Sequence, residues 1–468
     1  MKYLWLLFGV FFQFSLSAQE EGYKVDLHLD NAQSDKVFLA YFYGDNQYVA
    51  DTAFKTSENL FQFSGSEKLG KGVYMFVLPP ENTFFQILIG DDQHFKITAD
   101  ANNITPTISI EGSEDNNVFY DYLKYLDSAR KVKTDLQEKI QHAETDTEKE
   151  KLEEDIVDLD RGVLHLQDEI MEKHPESLSK MMIASSREPQ IPKYDDEDEK
   201  VRQKKSYRYY YNHFFDNLDL KNEAILRTPF IHKKVMTFFD QYTPQAPDSL
   251  NKSIDLFMGK LEEGTDVYRY FLVKLLNKYA NPKMVGQDAV YVHIAQNYYG
   301  KGKAPWIDED KLTEILDNAE RFSYTLIGKP APNIELYDID AKKKFKILDV
   351  EARYTVLIFW SYACSHCEEV MPTLPEIAEK IDDESIKIVN VCTKADDPCG
   401  EFLDENNIRH VGINSLPVSS YGRLYDVRST PKIFIINESG KIASKGIGFS
   451  QIPEVIELLK KEDLSSVN

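Results

Sequence analysis

Thr355-Val356-Leu357-Ile358-Phe359-Trp360, then Ser361-Tyr362-Ala363, then Cys364-Ser365-His366-Cys367: this run decides the fold of the last part of the chain. Six residues without polar alternation predict a strand buried on both faces, because a half-wet strand would alternate. Ser365 to Lys380 predicts a helix, so the Cys-x-x-Cys pair stands where a strand hands over to a helix. A thiol at that place meets unpaired N–H groups and the positive end of the helix dipole, and both favour an anion. The thiolate is the nucleophile, so Cys364 is the attacking sulfur and Cys367, one turn later, is placed to resolve a mixed disulfide. Half of a zinc site is the competing reading, but it needs a second Cys-x-x-Cys or paired histidines. The other two cysteines, Cys392 and Cys399, have six residues between them, which is wrong for a zinc ribbon. A redox dithiol follows, with no metal and no organic cofactor: a Cys364–Cys367 disulfide would itself carry the electrons.

Around this motif the sequence alternates strand and helix. Ile386–Thr393 reads as a second strand and Cys399–Asn407 as a short helix. Lys432–Asn437 and Lys441–Gly448 read as a hairpin around Glu438-Ser439-Gly440, with a closing helix over Gln451–Lys461. A βαβ unit leading into a ββα unit predicts an α/β sheet with helices on both faces. The strand Ile386–Thr393 should lie parallel to and beside Thr355–Trp360 through a right-handed crossover, so both end at the edge where sites collect. Cys392 thereby becomes a third thiol near the pair. It forms a second, regulatory disulfide with Cys399, or the two are a buried cysteine and a structural partner; both readings stand. Pro372 removes an N–H inside the helix after Cys367 and predicts a kink.

Residues 327 to 463 resemble the thioredoxin-fold domain of TlpA/ResA-type extracytoplasmic thiol–disulfide oxidoreductases. The resemblance rests on Phe359 to Cys367, on Met371-Pro372, on Ser429-Thr430-Pro431-Lys432-Ile433-Phe434, on Ile436-Asn437-Glu438-Ser439-Gly440-Lys441, and on the opening Gly328-Lys329-Pro330-Ala331-Pro332. It implies Cys364 as nucleophile, Cys367 as resolver and Pro431 as a cis-proline beside them. A cis X–Pro bond there would expose the backbone of Thr430 to an incoming extended chain. Trp360 would flank the site, and Ser365, His366, Trp360 and Thr430 are the positions expected to modulate it. His366 stands between the cysteines as in the oxidising DsbA type. A cationic imidazole near Cys364 would stabilise the thiolate and raise the reduction potential. The sequence also departs from the pattern. Ile358 occupies the place of the buried acid of cytoplasmic thioredoxins, Val370 that of the ResA-type acid, and Glu368 and Glu369 come earlier on the helix. Ser361-Tyr362-Ala363 lacks the Pro and Thr that a peroxidatic cysteine needs, which disfavours peroxiredoxin chemistry.

Upstream, the 468 residues are too many for one core, and two to four domains are expected at roughly 100–200 residues each. Lys2, the apolar run Tyr3–Phe14 and Ser15-Leu16-Ser17-Ala18 read as a signal peptide, 1–18, cut after Ala18. From Gly22 to Gly112 short alternating strands (Val25–Leu29, Val37–Tyr41, Phe61–Phe63, Val73–Val77, Phe95–Thr98) predict an antiparallel β-sandwich, 20–113. From Asn116 to Ser323 the period is helical, defining a helical domain, 114–325, before a thioredoxin-like domain, 326–468. Leu152, Ile156, Leu159, Val163, Leu166 and Ile170 form an a/d seam after a capping box at Thr147 and Glu150, preceded by a helix through Leu136, Ile140 and Ala143. The seam is read either as an intramolecular hairpin or as an oligomer contact. Asp195 to Glu199, followed by Arg202, Lys204 and Lys205, reads as a solvated linker, and His213, His232 and His293 lack metal-ligand spacing.

The expected fold class is therefore multidomain: an N-terminal antiparallel β-sandwich, an α-helical middle domain and a C-terminal α/β thioredoxin fold. This order resembles multidomain exported thioredoxin-like proteins of Bacteroidetes. A net charge of −23 argues against nucleic acid as a partner, and no stretch after the signal is long and apolar enough to span a membrane. The expected activity is reduction or exchange of disulfides in protein substrates of the periplasm or cell envelope. A membrane electron-relay protein would be the donor, and cytochrome c maturation a family role. Two alternatives are a copper or zinc metallochaperone using the same dithiol and an envelope binding protein with an accessory redox domain.

Overall fold

A computed structural model describes residues 22–56, 59–282, 284–394 and 398–466, so the expected signal peptide, 1–18, lies outside the described residues. The chain divides into two compact units, 1–238 and 239–468. This division falls within the stretch 114–325 that the sequence reads as helical. Helices before 239 belong with the N-terminal sheets and the later ones with the C-terminal sheet.

In the first unit eight strands form two four-stranded sheets. The strands are β1 (Tyr23–Asp30), β2 (Lys36–Tyr43), β3 (Asn46–Phe54), β4 (Leu60–Gly65), β5 (Gly72–Leu78), β6 (Thr83–Ile89), β7 (His94–Asp100) and β8 (Ser109–Glu111). The sheet orders are β4-β1-β7-β8 and β3-β2-β5-β6. Period-two burial drives them together: Val25 and Leu27, and Phe61 and Phe63, are fully buried while Asp26 and Gln62 between them turn outward. Phe63 of β4 meets Phe76 of β5 with ring centroids 5.1 Å apart, joining one sheet to the other. Every ladder is antiparallel except one: β1 runs parallel to β7, from Lys24 opposite His94 to Asp30 opposite Asp100. β3, β6 and β8 were not expected from the sequence. Gly44 closes the β2–β3 hairpin at φ +62, a conformation glycine adopts without a Cβ clash.

The helices Glu114–His142 and Asp146–Lys173 form an intramolecular hairpin, with Gln167 donating to the Tyr122 hydroxyl at 2.7 Å in its buried part. The seam from Leu152 to Ile170 is half-buried by this packing. The second helix starts earlier than the capping box at Thr147 and Glu150 predicts: Thr145 is the N-cap and accepts from the Glu148 N–H. Both Thr145 and Thr147 have Glu three residues on, and the chain uses the first pair. The expected linker also begins a helix, Glu199–His213, because Asp198 caps it by accepting from the Lys200 N–H.

In the second unit the helices Pro247–Met258, Asp266–Ala280, Asp288–Ile294 and Glu309–Ser323 precede a seven-stranded sheet. Its strands are β9 (Glu335–Asp338), β10 (Lys343–Lys346), β11 (Tyr354–Trp360), β12 (Ile386–Cys392), β13 (Ile413–Pro417), β14 (Lys432–Asn437) and β15 (Ile442–Lys445), in the order β10-β9-β13-β12-β11-β14-β15. All seven residues of β11 are buried. Val356, Ile358 and Trp360 pack on one side with Met371, Leu374, Ile377, Ile452 and Ile456. Leu357 and Phe359 pack on the other with Ala331, Ile334, Ile347 and Tyr425. Each such side chain contributes about 1.5–3 kcal/mol relative to exposure, which is why this strand anchors the domain. β12 runs parallel to β11, with Cys392 opposite Trp360, so the two strands end together. β14 lies antiparallel on the other flank. The helix after Cys367 is broken at Pro372 into Ser365–Val370 and Leu374–Ile381, joined by a tight turn over Met371–Thr373.

Candidate active site

β11 delivers the chain to the edge of the sheet at Trp360, whose carbonyl accepts from the Thr393 N–H at 2.8 Å and from its hydroxyl at 3.0 Å. Ser361 then turns the chain: its carbonyl accepts from the Cys364 N–H at 3.2 Å and its hydroxyl from the Ala363 N–H at 3.2 Å. Cys364 is the N-cap of helix Ser365–Val370, extended at φ −115 and ψ 112, and its Sγ accepts from the Cys367 N–H at 3.4 Å. A sulfur thus occupies the place where a serine or aspartate oxygen would normally cap, and the unpaired helix N–H groups meet it. In its protonated form the same thiol donates to the Thr430 carbonyl at 3.1 Å. The Thr430–Pro431 peptide is cis.

The two thiols are held apart electrostatically. Burial pushes the Cys364 thiol up, but hydrogen bonds from the Cys367 thiol, the Thr430 side chain and the backbone N–H groups of Cys367 and His366 outweigh it and hold it below the ordinary value. Burial pushes the fully buried Cys367 up to about 11, helped by its hydrogen bond to Cys364. The arrangement gives one half-buried sulfur whose thiolate is favoured and one buried sulfur whose thiol is favoured.

The other expected residues divide. Trp360 lies beneath the site, fully buried, with Phe402 5.2 Å away ring to ring. Ser365 is exposed. The His366 ring, 63% exposed, faces the Glu369 carboxylate at 3.5 Å, and the His366 backbone N–H is among the donors that hold Cys364 low. Ile358 is buried, Val370 is half-buried, and Glu368 and Glu369 are exposed. Cys392 and Cys399 are joined as a disulfide, with Cα atoms 6.4 Å apart, and both are buried. Their sulfurs lie 3.3 and 2.8 Å from the Lys394 carbonyl oxygen. Cys399 lies in the first turn of helix Pro398–Glu405. Sequence reasoning missed Ser361, which is buried at the turn, and Tyr421, which stacks on Phe359 and donates to the Thr393 carbonyl at 3.3 Å. Ser361 lies inside the quoted run from Phe359 to Cys367 without a role assigned to it, and Tyr421 stands in no motif. Among the described residues no group of three or more His, Cys, Asp or Glu is placed to hold a metal ion.

A capping, activated cysteine with a buried partner, set beside a cis-proline at the end of this sheet, defines a thioredoxin-fold domain of the thiol–disulfide oxidoreductase class. Residues 327–445 match the model of the AhpC/TSA family. Residues 164–325 and 23–119 match two domains of unknown function, DUF5106 and DUF4369. Among solved structures, the chain is similar to a thioredoxin-like protein from Bacteroides caccae, with 15% identity, 58% of this chain and 98% of that one covered and a TM-score of 0.45. It is also similar to a domain of a possible thiol-disulfide isomerase from Cytophaga hutchinsonii, with 26% identity, 30% and 97% covered and a TM-score of 0.28. A third is the thioredoxin domain of a thiol-disulfide oxidoreductase from Bacteroides vulgatus, with 20% identity, 28% and 95% covered and a TM-score of 0.26. No curated protein matches the chain.

Proposed function

We propose that the protein is an exported oxidoreductase that reduces disulfides in proteins of the cell envelope, with Cys364 as nucleophile and Cys367 as resolving thiol. The Cys364 thiolate attacks one sulfur of a substrate disulfide; a mixed disulfide forms and the other substrate sulfur leaves as a thiolate. Cys367 then loses its proton to water or to that leaving thiolate and attacks Cys364. A Cys364–Cys367 disulfide forms, and the second substrate thiol is released. Two electrons pass from the dithiol to the substrate, and a membrane dithiol relay restores the pair. Run in reverse, the same steps oxidise a substrate dithiol. The substrate is an extended segment paired with the backbone of Thr430, and an apocytochrome c fits that description. Export rests on the N-terminal sequence; among the described residues no helix is long and apolar enough to cross a membrane.

The observation that carries this reading is the Cys364 sulfur, capping a helix and held below the ordinary thiol value beside Thr430. Its test is reduction of a disulfide-bonded peptide by the reduced protein. Cys364→Ser is expected to abolish turnover, and Cys367→Ser to trap a mixed disulfide that mass spectrometry maps to Cys364. Turnover that survives Cys364→Ser would refute the assignment.

A further inference from the structure

The segment that carries Thr430 and Pro431 is tied to a helix outside the thioredoxin fold. It runs from Tyr421 to β14, and its basic side chains all meet partners. Arg423 reaches Asp317 at 2.6 Å and Glu320 at 2.5 Å. Arg428 donates to the Asn318 side-chain oxygen Oδ1 at 2.8 Å and lies 5.8 Å over the Phe322 ring. Asp317, Asn318, Glu320 and Phe322 all belong to helix Glu309–Ser323. Within the segment Asp426 is the hub. It is 5% exposed, sits at φ +47, and holds Arg428 at 2.7 Å and Lys432 at 3.1 Å, one before and one after Thr430–Pro431. A left-handed aspartate persists where its surroundings over-determine it, and two cations supply that. A second tie lies alongside: Lys445 of β15 pairs with Asp288, both 12% exposed, and also donates to Thr325 at 3.4 Å.

We infer that helix Glu309–Ser323 is the positioning element of the active-site loop, holding Thr430 against Cys364 through Asn318, Arg428 and Asp426. This deepens the proposed function and rests on it. A loop that receives an extended chain must offer its backbone in one conformation, and a loop fixed only at its two ends would lose that order. Arg428 is the link, because its guanidinium spans from the helix to the hub, as a forked, planar group can and an ammonium cannot. Asn318, Arg428 and Asp426 are therefore positioning residues, touching neither sulfur nor substrate.

The test compares Arg428→Ala, Arg428→Lys and Asn318→Ala in the full chain. Lys460→Ala, which breaks the 2.8 Å pair to Asp383 elsewhere in the domain, controls for a general loss of stability. Two readouts are taken: KM and kcat for a disulfide-bonded peptide, and the pH midpoint of Cys364 alkylation. Arg428→Ala is expected to raise KM roughly tenfold with a smaller change in kcat, the scale of one lost charge-assisted contact. Its alkylation midpoint should move up as Thr430 loosens. Asn318→Ala should follow it in direction, and the double variant should do no worse than Arg428→Ala alone. Arg428→Lys should recover less than half of the loss, and Lys460→Ala should match wild type. Folded Arg428→Ala and Asn318→Ala proteins with wild-type KM and midpoint would overturn the inference, as would equal changes in Lys460→Ala. The midpoint needs no substrate, so it decides this question even if the wild type reduces no disulfide, a result that would count against the function alone.

Discussion

Replacing Cys364 by Ser isolates Cys367, and the pH dependence of its reactivity can be worked out beforehand. A thiol that titrates at about 11 is ionised to roughly one part in a thousand at about pH 8, where an ordinary thiol is ionised to roughly a quarter. Losing Cys364 removes the hydrogen bond that helps raise Cys367, but burial, the larger cause, remains. In the wild type, iodoacetamide at about pH 8 should therefore modify Cys364 more than about a hundredfold faster than Cys367. In Cys364→Ser the rate at Cys367 should climb with pH and reach no plateau below about pH 10. Cys392 and Cys399 are joined and do not compete. The assay is stopped-time alkylation from pH 5 to 10 with peptide mapping. In the wild type the Cys364 rate should flatten at a pH below the ordinary thiol range, because the deprotonated form is the one favoured. If Cys367 in Cys364→Ser reacts within about threefold of a free thiol at pH 8, burial does not govern it. The division of labour between the two sulfurs would then be wrong.

Three further outcomes can be checked by denaturant unfolding. Cys392→Ser with Cys399→Ser opens a loop of eight residues, counting both cysteines, and should cost about 2.5 kcal/mol on the chain-entropy account; no measurable loss would mean the bridge does not form. Asn116 is fully buried, accepts from the Leu88 N–H at 2.8 Å and donates to the Leu88 carbonyl at 2.6 Å, so it satisfies the free edge of β6. Asn116→Ala strands both groups and should cost roughly 2–4 kcal/mol. Gly412 sits at φ +74 with the Ile388 carbonyl 2.2 Å from where a Cβ would be, so Gly412→Ala should cost more than about 1 kcal/mol, and a neutral result would refute that packing.

The parts of the fold that the sequence announces are those whose signal is local. β11 is legible because both faces are buried and nothing polar interrupts it, and the dithiol because its spacing and place coincide. β9, β10 and β13 are four or five residues long and partly exposed, too short for a period to emerge. β3 is an edge strand with one buried residue in nine, Ala53, so it has no buried face to read. β6 is different: Phe84 to Ile89 carries enough apolar residues between its turns to be legible as a strand. At Thr145 and Thr147 two capping boxes overlap, and only the packing of the hairpin chooses between them. At the site, the orientation of His366 follows from which neighbour its ring finds, which no spacing specifies. The tie from Arg423 to Asp317 joins residues 106 apart, and nothing in either neighbourhood hints at the other.

The parallel pairing of β1 with β7 sets the order in which the first unit can be completed. β1 lies between β4 and β7, and its parallel partner begins only at His94, about seventy residues later. While the chain emerges from the ribosome or a translocation pore, β1 and β4 can pair first, leaving the other edge of β1 open with its backbone unsatisfied. Such an edge can recruit a neighbouring chain, and non-local closure is slow. The N-terminal unit is thus the stage of synthesis at which this protein most needs a holdase. Truncations ending before residue 94 should aggregate, while those reaching past residue 238, where the unit ends, should remain in solution.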